Sequence, residues 1–151
     1  MGDLLEDMSA FTCSVSSFFR NSGLYTGEPE NILKYNSNGW ITERGEARNA
    51  WIKIEFNSMI ALSQVQIQQP CSIFEKMFKE VQLSFSSSPS QNVNLSKKRA
   101  SWSSAKILPM IHTSFITITA VDYYNPEILP SSRYGMCRIQ FFGKHLPERF
   151  V

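Results

Sequence analysis

Three consecutive stretches decide the fold: PENILKYNSNGW (29–40), ITERGEARNAW (41–51) and IKIEFNSMIALSQVQIQ (52–68). A Pro-Glu-Asn-Ile-Leu turn leads to one indole, Trp40, and a polar loop leads to a second, Trp51. The second opens a run in which Ile52, Ile54 and Phe56 share one face. Apolar residues at every second position are the signature of a half-buried strand. Two indoles flanking such a strand predict a β-sandwich with both rings plugging the core between its sheets. No residue in the stretch is evidently chemical, so it speaks to fold first and to binding only indirectly.

Working outward, about eight strands are expected, the number of a jelly roll. They fall at 11–16, 51–56, 62–68, 81–85, 106–110, 115–121 and 136–142, with a short one near Val93. The second and third are joined by a bend at Asn57-Ser58. A single helical turn is expected at 31–35, with Glu28 and Pro29 in favoured starting positions. Residues 86–104 read as a long polar loop and 122–133 as a second loop ordered by Tyr123 and Tyr124. Residues 1–8 read as a flexible leader, 9–143 as one domain and 144–151 as a tail, since Gly143 and Pro147 interrupt extension.

A chain of 151 residues is long enough to bury a core without a metal or disulfide staple. Eleven Phe and three Trp, with runs of Val, Ile and Thr, favour strand over helix. A net charge of +2 supplies no field that would draw the whole protein to nucleic acid or an anionic membrane. Cys13, Cys71 and Cys137 match no metal spacing and are odd in number. They read as thiols in a reducing compartment, the alternative being a Cys13–Cys137 cystine between first and last strands. The acidic opening MGDLLEDM lacks the apolar core of a signal peptide, and no apolar run spans a bilayer. The sequon Asn94-Leu95-Ser96 matters only in a secreted chain. A cytoplasmic or nuclear address with no membrane attachment is therefore expected.

The order of VSS (15–17), PENIL, Trp40, WIKIEF, IALSQVQIQ, FKEVQLSFS (78–86), SFITITAVDYY (114–124) and YGMCRIQFFG (134–143) resembles the discoidin domain. That family is also called coagulation factor (F5/8) type C or galactose-binding-like, and the likeness covers residues 11–143. Among its intracellular members the chain is most similar to small nuclear-receptor-associated ones, and more distantly to the amino-terminal domain of a single-strand-break repair scaffold. The resemblance implies an all-β jelly roll used for binding. Members commonly carry Asp-Gly-Asn after the first helical turn, where calcium can sit; here the positions read Lys34-Tyr35-Asn36, and a lysine ammonium opposes that ion. Extracellular members also carry a cystine joining the domain's ends, whereas Cys13 and Cys137 lie inside expected strands.

Catalysis is not expected. His112 and His145 have neither a nucleophile elbow nor a ligand pair around them, and the paired carboxylates, Glu28 with Glu30 and Glu43 with Glu46, sit in polar loops. No cofactor and no metal is expected. Binding is expected from the loops that family geometry gathers at one end, 18–26, 41–48, 71–78 and 123–133. They carry Phe19, Arg20, Tyr25, Arg44, Arg48, Phe74, Phe78, Tyr123, Tyr124 and Arg133. Aromatics with arginine are the composition of an interface centre, although Phe74 and Phe78 can equally pack beneath their own loop. A separate patch, Lys97, Lys98 and Arg99 with Trp102, has the cation-and-indole pattern of a phosphate or nucleic-acid contact, or is a solvated surface loop. The leading expectation is an intracellular protein-interaction module, such as a nuclear-receptor-associated regulator of transcription. The alternatives are a carbohydrate module of galactose type and a DNA-repair scaffold domain.

Overall fold

The computed structural model describes residues 3–5, 11–19, 27–33, 39–73, 75–125 and 127–146. In chain order its strands are β1 (Asp3–Leu4), β2 (Thr12–Val15), β3 (Trp40–Ile41), β4 (Trp51–Gln68), β5 (Lys76–Phe85), β6 (Gln91–Asn94), β7 (Trp102–Tyr123), β8 (Tyr134–Met136) and β9 (Arg138–His145). A 3-10 turn, Pro29–Leu33, precedes β3 and starts two residues before the turn expected at 31–35.

Two long strands build the sandwich. Residues 51–55 of β4 pair with β2 on one side and with 115–119 of β7 on the other. Beyond a register break between Glu55 and Ile60, the remainder of β4 pairs with β9 and with the first half of β7. Each long strand thus passes from one layer to the other. β5 and β6 extend the first layer, and β1 flanks β9 in the second. The bend expected at Asn57-Ser58 falls at this break, but the two strands expected on either side of it run on as one, with no Gly or Pro at 57–59 to end the first.

The same logic merges the strands expected at 106–110 and 115–121. Leu62 pairs with Ile111 and Gln64 with Lys106, so residues 107–110 of β7 bulge out of the ladder on β4. Pro109 is tolerated there because no ladder hydrogen bond is asked of it. The bulge leaves Leu108 83% and Met110 49% exposed.

The layers close over Ile52, Ile54, Ile60, Leu62, Ile67, Leu83, Ile116 and Ile118, all fully buried. The expectation of two core indoles holds for Trp40, which is 1% exposed, and fails for Trp51, which is only half-buried. The pleat explains the difference. Ile52, Ile54 and Phe56 point inward, so Trp51 belongs to the opposite face with Lys53 and Glu55. Two aromatic groups mark the ends of the sandwich. Phe11, Phe56 and Phe141 meet edge to face at one end. Trp40, Phe78, Tyr123 and Tyr134 meet at the other.

Both expected flanks take part in the sheet. Asp3 and Leu4 pair with Gly143 and Phe142, and Leu5 is buried, so part of the expected leader is strand. Lys144 and His145, expected in the tail, belong to β9. Gly143 is required where it stands, because a Cβ there would lie 2.0 Å from the Ala61 carbonyl oxygen.

Candidate ligand-binding end

The buried aromatics at the second end carry polar handles that fix the loops above them. Trp40 Nε1 donates to the Ser17 carbonyl at 3.0 Å. The Tyr123 hydroxyl donates to the Ala47 carbonyl at 2.7 Å and accepts from the Asn49 amide at 3.0 Å. The Tyr134 hydroxyl donates to the Asn125 carbonyl. Burial raises both tyrosine hydroxyls above the ordinary phenol range.

Backbone bonds then gather five segments. Phe19 donates to Ile41 at 2.7 Å, and the Glu43 amide donates to Ser17 Oγ at 3.1 Å. Gly45 donates to Ser132 at 2.9 Å and Lys76 to Arg133 at 2.7 Å. The fifth segment is 95–101, the basic loop. Ala100 donates to Pro70 at 3.0 Å, and the Tyr124 hydroxyl donates to the Leu95 carbonyl at 2.6 Å. The patch expected to stand apart is therefore part of the same end, because β6 returns the chain alongside β5 and brings Leu95 back to Lys79.

Most of the expected contact residues are placed by this geometry. Arg20, Tyr25 and Phe74 lie outside the described residues, as do Lys34, Tyr35 and Asn36 of the calcium argument. Phe19 is 5% exposed and forms a floor on which the Arg133 and Arg44 guanidinium carbons rest, 4.4 and 5.3 Å from its ring centroid. Phe78 is fully buried, so it packs under its loop. Arg44 and Arg48 are exposed. Tyr123 serves the loops through its hydroxyl, and Tyr124 lies beneath Lys97, whose Nζ is 5.9 Å from the ring centroid. Arg99 does not project to solvent as a phosphate ligand would; its guanidinium donates to the Glu75 carbonyl at 2.7 Å and to the Ser72 carbonyl. Lys97 and Lys98 remain exposed, and Trp102 is 39% exposed at the start of β7.

Several residues at this end gave no signal in the sequence. Ile73 is 80% and Leu129 45% exposed, two apolar side chains in water on the loops at 71–78 and 123–133. Glu75 is 2% exposed, and neither carboxylate oxygen has a hydrogen-bond partner. Burial raises its pKa, opposed by the nearby positive charges of Arg133 and Arg99. The Sγ atoms of Cys71 and Cys137 are 3.0 Å apart, so the cysteine neighbour of Cys137 is Cys71 and not Cys13. Cys13 sits opposite Ile54 in β2, where burial, with the charge of Glu30 as a smaller cause, pushes its thiol up to about 12. Sixty-six positions separate Cys71 from Cys137, so no local pattern could pair them.

Away from this end, an apolar groove of about 430 Å³ opens beside the β7 bulge, lined by Ser63, Gln64, Ile107, Leu108 and Met110 among others. Among the described residues no helix is long and apolar enough to cross a membrane.

The sequence matches no family model, and a comparison with curated proteins finds no significant match. Solved structures with the same fold are numerous. The chain is similar to the family 32 carbohydrate-binding module of Clostridium perfringens NanJ in complex with galactose, with a TM-score of 0.72 and 13% identity over 94% of this chain and 99% of that one. It is also similar to a family 32 module of a Clostridium perfringens family 89 protein in complex with GalNAc-β-1,3-galactose, with a TM-score of 0.74 and 11% identity over 93% and 99%. An F5/8 type C domain from Bacteroides fragilis gives a TM-score of 0.71 and 14% identity over 96% and 98%. The fold is the galactose-binding-like β-sandwich shared by discoidin domains and family 32 carbohydrate-binding modules.

Proposed function

We propose that this chain is a non-enzymatic binding module that takes a carbohydrate at the end built by residues 17–19, 42–48, 71–73, 75–76, 95–101, 123–125 and 127–134. The observation that carries the reading is the fixing of Arg133 and Arg44 over the buried Phe19 ring, within a ring of loops locked from below by aromatic hydroxyls and an indole. A sugar presents vicinal hydroxyls around an apolar ring. A planar guanidinium held in place offers several donors at low ordering cost. Two of the structures with this fold were solved with galactose or a galactose-containing disaccharide, which supports this ligand class at the level of fold.

A second reading is a protein partner. Ile73 and Leu129 are exposed, as are Arg44 and Arg48, and together they have the apolar-plus-arginine composition of an interface core. That reading would carry the cytoplasmic or nuclear address and the role in transcription that the sequence suggested.

A glycan array probed with the full chain and with an Arg44→Ala, Arg133→Ala variant separates the two. The carbohydrate reading expects selective signal for a family of related sugars that the variant loses. An empty array, alongside capture of one partner protein that Ile73→Asp abolishes, would replace it with the second reading.

A further inference from the structure

We propose that Cys71 and Cys137 form a hydroperoxide-sensitive dithiol, a modification site that closes reversibly to a disulfide at the ligand-binding end. The two sulfurs are in direct contact at 3.0 Å, about 1 Å from bonding distance. Their surroundings are unequal in the way a reactive and a resolving thiol require. Cys71 is exposed, followed by Ser72 and by Ile73 at 80% exposure, whereas Cys137 is 3% exposed.

Cys137 is held in place by its amide, which donates to the Gln68 carbonyl at 2.9 Å. The chain just before Cys71 is held as firmly. The Gln69 amide donates to Ser101 at 2.9 Å, and its side-chain Nε2 donates to the Phe78 and Ser96 carbonyls. The small approach needed for bonding therefore falls to the surface turn at 71–73. Burial, with the hydrogen bond between the two thiols as the next cause, pushes the Cys137 thiol up to about 12; Cys71, the exposed sulfur, meets oxidant first.

The oxidant is a hydroperoxide, here hydrogen peroxide. Cys71, its proton lost to solvent, attacks one peroxide oxygen; the O–O bond breaks, and the departing hydroxide regains a proton and leaves as water. Cys71 is then a sulfenic acid. Cys137 Sγ attacks Cys71 Sγ, the S–O bond breaks, and the leaving hydroxide takes the Cys137 proton as a second water. Two thiols have given up two electrons, and the peroxide has been reduced to two waters. The new bond tethers the turn that carries Ile73 to the junction of β8 and β9. Nothing in this scheme depends on which ligand the end binds.

The test treats the reduced full chain with a few equivalents of hydrogen peroxide, then alkylates, digests and weighs it. The expected product is an intramolecular Cys71–Cys137 peptide pair, about 2 Da lighter than the dithiol and reopened by dithiothreitol. Its melting temperature should rise by roughly 5 to 10 °C, because the bond closes a long loop. Cys13→Ser should form it unchanged and Cys71→Ser should not form it. In Cys137→Ala, Cys71 should stop at a sulfenic acid that dimedone traps. Oxygen addition at Cys71 of the native chain without a cross-link, a bond involving Cys13, or recovery of both thiols unmodified would overturn the proposal. The exposed Cys71→Ser variant keeps the test decisive even if Cys137→Ala fails to fold.

Discussion

The Lys97 ammonium stands over the Tyr124 ring, 5.9 Å from its centroid, and so joins the basic loop to the loop that follows β7. Two stretches that read as rivals in the sequence adjoin through this contact, and the proposed binding end includes both. The Arg44→Ala, Arg48→Ala pair and the Lys97→Ala, Lys98→Ala pair should therefore each weaken binding of the same ligand, by up to about tenfold for an anchor residue. Calorimetric titration of both variants checks this, and a ligand lost by one pair but held at full affinity by the other would separate the surfaces again.

Tyr123→Phe removes a hydroxyl that bonds both the Ala47 carbonyl and the Asn49 amide, leaving those loop groups to find other partners. A loss of about 1–2 kcal/mol in urea denaturation is expected. An unchanged midpoint would mean that the loop is held by other contacts.

The two sandwich indoles should differ sharply. Trp40→Ala empties a fully buried site stacked on Phe78 and should cost about 3–5 kcal/mol. Trp51→Ala, on the outward face of β4, should cost clearly less in the same denaturation series. The alternation of Ile52, Ile54 and Phe56 already held this distinction, because it places position 51 on the other face.

Much of the sandwich was legible in that way. Period-two runs located β4, β5, β7 and β9, and aromatic spacing located the core. What was not legible depended on contacts between distant residues. That β4 runs as one strand through the bend read at Asn57-Ser58, and that β7 bulges at 107–110, follow from unequal pairing between the two strands. The burial of Glu75 beside Arg99 and Arg133 depends on three segments meeting, and the Cys71–Cys137 contact on two. The basic loop looked independent because its partner, Tyr124, lies beyond the whole of β7.

Glu75 predicts a pH signature. Its pKa is raised in the folded chain, chiefly by burial, so the folded state holds this proton more tightly than the unfolded state does. The associated stability is fully present below the ordinary value of 4.5 and is lost as pH rises through the folded value. Glu75→Gln should flatten that part of the profile. Melting temperatures of the two proteins should converge at low pH and separate towards neutrality, with the variant higher; curves that stay parallel from pH 4 upward, on the order of the unfolded carboxyl value, would count against it.

Mapping the ligand by amide chemical shifts tests the central claim most directly. The 15N-labelled chain is titrated with galactose and with GalNAc-β-1,3-galactose. The account predicts saturable shifts confined to residues 17–19, 42–48, 71–73, 75–76, 95–101, 123–125 and 127–134, with no response around Leu108 and Met110. Saturable shifts centred on the Leu108–Met110 groove, or no shifts at all with either sugar at millimolar concentration, would contradict it.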